Sequence, residues 1–264
     1  MGDGTEVGEG FDLAAEEYDD LLRRNREGAR RLVAALPPGP YEEVLDVGCG
    51  TGFVTQEMVA RFAVRRVTGV DPSEGMLEQF RQKLDDRVEA TLIRAGVHDM
   101  PVPDGAFDAV VSGMAFHWFP EKPAAVAAMA RRLRPGGVLG ILASGSGTDA
   151  EFRAILEAIE PPVPPGWIEV FDVIQRNADE VAGWMGAAGL DVIDAWEERR
   201  VRRADPDAYL ARITAVASHL SAGLDPDEAA AHGERVVRAV HAAAGPRGFE
   251  YAFVKLFAVA RRPG

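Results

Sequence analysis

Five short apolar runs, most of them followed by a stretch of helical periodicity, occupy the first half of the chain and restrict what it can fold into. The runs are Val44–Val47, Val67–Val70, Ala90–Arg94, Phe107–Ser112 and Val138–Ala143. Several are continuously apolar instead of alternating, which a strand needs when both faces of its sheet are covered. Phe53–Phe62 reads as a helix between the first two. Ser73 is placed to cap another, with Met76, Leu77, Phe80 and Leu84 on one side. Val126, Met129, Ala130 and Leu133 mark a third, stopped by Arg134-Pro135-Gly136-Gly137. Strands spaced by helices predict an α/β doubly wound sheet.

The flanks read less regularly. Residues 11–36 carry a helical stripe that includes Leu21, Leu22, Ala29, Leu32, Val33 and Leu36, and the run PPGP at 37–40 ends it. After residue 144, SGSGTD reads as a flexible connector and EPPVPPGW (160–167) as a stiff loop. Ala178–Ala188 reads as a helix and 189–201 as an edge strand. Asp205–Pro206 and Asp225–Pro226 resemble helix starts, predicting helices over about 206–220 and 226–243. The last apolar segment, FEYAFVKLFAVARR, predicts a long closing strand over 249–262.

Charge narrows the partners. The chain has 264 residues and a formal charge of −13. Nucleic-acid binding rests on Lys and Arg neutralising phosphates, so neither nucleic acid nor an anionic membrane is expected. Cys49 is the single cysteine, which fits a reducing, cytoplasmic setting. The opening residues predict no signal peptide, and no run approaches the ~18 apolar residues of a membrane span.

The chemistry concentrates at VLDVGCGTG, residues 44–52. Gly48, Gly50 and Gly52 lie between a strand and a helix, where glycine permits positive φ and lets a ligand touch the backbone. A dinucleotide fingerprint needs glycine or alanine at the sixth position. Counting from Gly48 reaches Phe53 and from Gly50 reaches Thr55, so both counts fail. No lysine follows the turn, which excludes a P-loop. Asp46 would repel a pyrophosphate but suits an ammonium group. Asp71 follows Gly48 by 23 residues, at the end of the next strand, where a carboxylate can accept from both hydroxyls of a ribose. The expected ligand carries a ribose and an amino-acid-like end without phosphate, which describes S-adenosylmethionine.

VLDVGCGTG, VTGVDPSEGML, PVPDGAFDAVVSGMAFHWF and LRPGGVLGI occur in the order seen in class I S-adenosylmethionine-dependent methyltransferases, and the chain resembles the small-molecule group of that family over about residues 41–145. The resemblance implies a Rossmann-like, doubly wound, seven-stranded sheet whose last strand is antiparallel, with a helical cap over the substrate site. The chain is expected to form a single domain over 1–264, with a helical lead-in at 11–36, a cofactor-binding core at 41–145, a cap with an edge strand at 146–248 and the closing strand at 249–262. The glycines would surround the methionine part, Asp46 would lie near its amino group, Asp71 would hold the ribose and Met76 would pack on adenine. Where relatives carry an acid facing the adenine amine, this chain has AGVHDMP, so His98 or Asp99 would take that place. Ser112 and Met114 would lie beside the sulfonium, and Tyr18 would reach the methionine carboxylate.

His117, in FHWF just past the fourth apolar run, is the candidate general base, since its ordinary pKa of ~6.5 suits deprotonating a hydroxyl. Trp118, Trp167, Phe171 and Tyr209 are candidates for lining an acceptor pocket. His219, His232 and His241 have no spacing that suggests a metal. The expected activity is methyl transfer to O, N or C of a small organic metabolite, with an oxygen acceptor favoured. The alternatives are a methyltransferase acting on RNA or protein, and a non-catalytic S-adenosylmethionine-binding regulator.

Overall fold

A computed structural model of the chain describes residues 25–85, 87–174, 176–217 and 226–264. Helix α1 spans Arg26–Ala35, so of the expected helix 11–36 the described residues hold its second half. The alternation then follows: β1 Glu43–Val47, α2 Phe53–Arg61, β2 Arg66–Asp71, α3 Glu74–Lys83, β3 Glu89–Arg94 and β4 Phe107–Gly113. Ser73 caps α3 as expected, its hydroxyl accepting from the Met76 N–H at 3.1 Å. A 3-10 turn at Phe116–Trp118 leads to α4 Lys122–Arg132 and β5 Leu133–Ser144.

The seven strands form one sheet in the order β3-β2-β1-β4-β5-β7-β6, where β6 is Asp191–Ala204 and β7 is Phe249–Arg261. Neighbouring pairs from β3 to β5 are parallel, with Val44 opposite Val67 and Ala109. The last strand runs the other way. Gly136 donates to the Arg262 carbonyl, and further along Gly145 donates to that of Val254. This reversal also explains a boundary. Arg134–Gly137 reads as a helix stop, yet β5 begins at Leu133, because β7 reaches far enough for Arg262 and Gly137 to hydrogen bond.

Two compact units divide the chain. Of the described residues, one holds those up to Ala143, with Asn177–Glu197 and Lys255–Gly264; the other holds those of Ser144–Arg176 and Glu198–Val254. The first unit has a core on each face of its sheet. Leu45, Val110 and Ile141 point into one, against Val126 and Met129 of α4 and Val181 and Met185 of α7, Ala178–Ala187. Val44, Val67 and Val111 point into the other, against Leu32 of α1, Met58 of α2 and Phe80 of α3. Adjacent residues of β1 thus serve opposite cores, as the two-residue strand period requires.

The second unit contains two helices that the sequence reading leaves unassigned after the connector and the proline-rich loop, α5 Ala150–Ala158 and α6 Gly166–Ile174. It also contains α8 Pro206–Ala217 and α9 Pro226–Ala243. Asp205 opens α8 as expected, accepting from the Asp207 and Ala208 N–H groups at 3.0 and 3.2 Å. The core of this unit is aromatic: Tyr209 packs on Phe152, Phe249 and Tyr251, with ring centroids 4.6–5.7 Å apart. Among the described residues, no helix is long and apolar enough to cross a membrane.

Candidate functional site

Strand order reverses beside β1, since β2 lies on one side of it and β4 on the other; ligands of open α/β sheets sit at such a point, beyond the strands' carboxyl ends. The chain leaves β1 through three glycines at positive φ: Gly48 at 64°, Gly50 at 50° and Gly52 at 84°. They are not equivalent. A Cβ on Gly48 would fall 2.4 Å from that of Ala115, and one on Gly52 would fall 2.4 Å from the Phe80 ring. A Cβ on Gly50 would meet nothing within 4 Å. The outer glycines are therefore demanded by packing, whereas the middle one faces open space.

That space is an open cleft of about 670 Å³, counted to include its solvent-filled mouth. Asp46, Gly48, Gly50 and Asp71 line its polar part. Met76, Met114, Trp118 and Phe53 line its apolar part, together with Asn25 and Ala29 from the start of α1. All belong to the first unit.

The two carboxylates are held differently. Asp71 accepts from the Gly50 N–H at 2.8 Å through Oδ2 and from the Ser73 N–H at 3.0 Å through Oδ1. This locks the Gly turn to the end of β2 and fixes the orientation of the carboxylate. Asp46 is only 1% exposed. Its Oδ2 accepts from the Thr55 hydroxyl at 2.7 Å, while Oδ1 has no donor among the described residues. Burial pushes its pKa up to about 7; the Asp71 charge adds to this and the Thr55 hydrogen bond opposes it. A buried, half-satisfied carboxyl in a cleft wall is costly in isolation and suits a ligand that brings a donor or a positive charge.

Of the expected site residues, the structure brings Asp46, Gly48, Gly50, Asp71, Met76, Met114 and Trp118 together in this cleft. Met114 sits at φ 57°, where a non-glycine residue is strained, and its N–H donates to the Leu142 carbonyl at 2.7 Å. Gly52 shapes the turn from behind. Ser112 lies buried in β4 with its hydroxyl unpartnered among the described residues, outside the cleft lining. Tyr18 lies outside the described residues.

Other expectations meet different surroundings. His98 and Asp99 are exposed and outside the lining, and His98 Nε2 lies 3.0 Å from the Pro120 carbonyl oxygen. His117 is buried and also outside the lining. Burial, reinforced by the Lys122 charge, lowers its pKa to about 3, so its imidazole is neutral at pH 7 and a weak base. Phe171 and Tyr209 are core residues of the second unit, at 8% and 1% exposure, and the Tyr209 hydroxyl donates to Asp149. Trp167 is half-buried against that core. Phe171 and Tyr209 thus contribute to the aromatic core of that unit. Asn25 and Ala29 of the cleft lining, and Thr55, which donates to Asp46, are neighbours the sequence reading did not single out for the site. No motif marks them, because their proximity to the cleft depends on how α1 and α2 pack.

The fold and cleft define an α/β nucleoside-binding domain in which two aspartates flank a glycine turn. Residues 44–137 match the methyltransferase domain family. Over 174 residues the chain is 31% identical to a malonyl-[acyl-carrier protein] O-methyltransferase of Halorhodospira halophila, covering 64% of this chain and 55% of that protein. Over 141 residues it is 33% identical to a trans-aconitate 2-methyltransferase of Deinococcus radiodurans, covering 53% and 52%. The matched segments span about half the length of these relatives. The fold also matches a Haemonchus contortus phosphoethanolamine N-methyltransferase solved with S-adenosyl-L-methionine, with a TM-score of 0.55 at 15% identity, covering 96% of this chain and 57% of that one. The matched segment, residues 44–137, is similar to the domain of S-adenosylmethionine-dependent methyltransferases, and this likeness supports S-adenosylmethionine as the cofactor.

Proposed function

We propose that the protein transfers a methyl group from S-adenosylmethionine to a carboxylate oxygen of a small organic acid or its thioester. The observation that carries the cofactor half of this reading is the unpaired Oδ1 of Asp46, facing a glycine turn whose middle residue leaves the backbone bare. Asp46 takes the ammonium group, Asp71 accepts from the ribose hydroxyls, and Met76 and Met114 offer apolar, polarisable surface to the adenine and sulfonium ends.

When bound, the cofactor supplies a methyl group on a positively charged sulfur, activated for in-line displacement. The chain's own contribution is then alignment, which can be worth roughly 7–11 kcal/mol in barrier. The Asp71 bridge from Gly50 to Ser73 holds the turn rigid before any ligand arrives. Among the described residues, the titratable groups lining the cleft are Asp46, Cys49 and Asp71. Burial pushes the Cys49 thiol up, so it stays protonated. An acceptor that is already anionic at neutral pH needs no base, and a carboxyl of pKa ~4 meets that requirement. The malonyl and trans-aconitate acceptors in the names of the relatives are of this chemical kind.

Calorimetry with S-adenosylmethionine, followed by S-adenosylhomocysteine release over a panel of di- and tricarboxylic acids, a malonyl thioester, phenols and amines, tests the reading. Turnover confined to carboxylates supports it. Turnover on phenols or amines alone sinks the acceptor assignment. Tight cofactor binding without turnover on any acceptor points to a regulator, and no cofactor binding removes the reading altogether.

A further inference from the structure

Strand β6 closes one edge of the sheet, and among the described residues its outer edge pairs with no strand. Three of the four exposed large apolar side chains among those residues lie on it: Val192, Ile193 and Val201, each more than 40% exposed. Edge strands are commonly protected by scattered like charges that repel a second strand. Here the charges are sorted by sign. Asp191, Asp194, Glu197 and Glu198 come first, and Arg199, Arg200, Arg202 and Arg203 follow. An antiparallel copy sets the first half of one strand against the second half of the other, so this arrangement is complementary to itself. We propose that β6 pairs antiparallel with β6 of a second copy of this chain, extending the sheet across a two-fold axis.

Symmetry restricts the register. A two-fold axis perpendicular to the sheet keeps every side chain on its own face, so one residue must sit opposite its own counterpart. β6 runs without a bulge, because the stacking of Trp196 on Phe257 and the Arg203–Glu250 ion pair fit a single register against β7. Centring on Glu197 sets Ile193 opposite Val201, Asp194 opposite Arg200 and Asp191 opposite Arg203, each twice. Centring on Glu198 keeps as many opposite-charge pairs but sets Ile193 against Arg203. Centring on Arg199 keeps only the Glu198–Arg200 pair. The Glu197 register alone joins the two most exposed apolar residues. It also places Arg203 between Glu250 on β7 and Asp191 of the second copy. Asp191 and Asp194 make no ion pair among the described residues, so both are available. Pairing through one strand buries less than a standard interface, so the dimer is weak, dissociating at about micromolar concentration.

Sedimentation equilibrium of the full chain at low salt tests this. The native chain should dimerise. Asp194→Arg alone and Arg200→Asp alone should each weaken the dimer about 10-fold or more, since each converts two attractive pairs into two repulsive ones. The double exchange Asp194→Arg/Arg200→Asp should restore it, and circular dichroism melts report whether each variant folds. A chain that stays monomeric at about 100 μM, well above the range expected of so small an interface, overturns the proposal. A dimer indifferent to both single reversals, or a double exchange that fails to restore it, overturns it as well.

Discussion

The cleft of the first unit and the core of the second are both built around buried aspartates, but they satisfy them in opposite ways. Asp149 in the second unit is paired with a permanent cation. Arg212 donates to it at 2.6 Å, Tyr209 adds a hydrogen bond at 3.1 Å, and the guanidinium lies 4.9 Å from the centres of both the Tyr209 and Tyr251 rings. In the first unit Asp46 accepts from a threonine hydroxyl and Asp71 from two backbone N–H groups. The first arrangement is closed and serves stability. The second sets a buried carboxyl with one unpaired oxygen, Asp46, in the wall of an open cleft, a state worth its cost only if a ligand completes it.

The largest expected effect breaks the closed arrangement. Arg212→Leu leaves Asp149 buried beside Tyr209 without its cation and should destabilise the protein by about 3 kcal/mol. Asp149→Leu/Arg212→Leu should recover most of the loss, because an apolar pair of similar volume removes the uncompensated charge. Chemical denaturation measures both. A single variant as stable as the native chain would show that the pair contributes little and that the aromatic packing alone holds this core.

Next in size is the open arrangement. Asp71→Ala should weaken S-adenosylmethionine binding by ~1.5–3 kcal/mol, the range for hydrogen bonds to a charged group. It also frees the Gly50 and Ser73 N–H groups. Calorimetry on a variant shown to be folded is the check. Unchanged affinity would place the ribose elsewhere. Gly50→Ala separates ligand access from folding. A left-handed φ of 50° costs an alanine about 1 kcal/mol in stability, with no clash to add. The methyl group would nevertheless occupy the ligand's approach, and affinity should fall about tenfold, or ~1.4 kcal/mol. Gly52→Ala should show the reverse balance, a larger stability loss from the Phe80 contact at 2.4 Å.

The same contrast explains what the sequence discloses. The cleft is legible because its parts are local and chemically restrictive. Glycine adopts the three positive φ angles after β1 at the least cost, and an acid at a strand end announces itself by position. The parallel strands are legible because burial on both faces makes them continuously apolar. The second unit offers no such constraint. Helix α6 hides inside a proline-rich stretch, since Pro164 and Pro165 sit just before it and their carbonyls accept from Trp167, Ile168 and Glu169. Tyr209 reads equally well as pocket or core until its neighbours are known. His117 illustrates the limit for catalysis: its place after β4 is readable, but the burial that abolishes its basicity depends on packing from residues distant in sequence.

The smallest effect is a pH dependence peculiar to the open arrangement. Burial raises the folded-state pKa of Asp46 from about 4 to about 7, so between those values the folded protein holds a proton that the unfolded chain has released. This favours folding at low pH and is lost as pH rises through 7: the free protein should become less stable from pH 5 to pH 8. Cofactor affinity should run the other way. Only the ionised carboxylate attracts an ammonium group, and the ionised fraction grows about fivefold from pH 6 to pH 7. Above about pH 8 the ammonium group itself begins to lose its proton, which closes the window. Calorimetry at pH 6 and 7 should therefore show a rise of about fivefold in affinity, absent in Asp46→Asn. If the native chain binds equally at both values, Asp46 is ionised throughout, and the unpaired Oδ1 has a donor that the free structure conceals. If the rise persists in Asp46→Asn, another group controls it, and the assignment of the ammonium end to Asp46 falls.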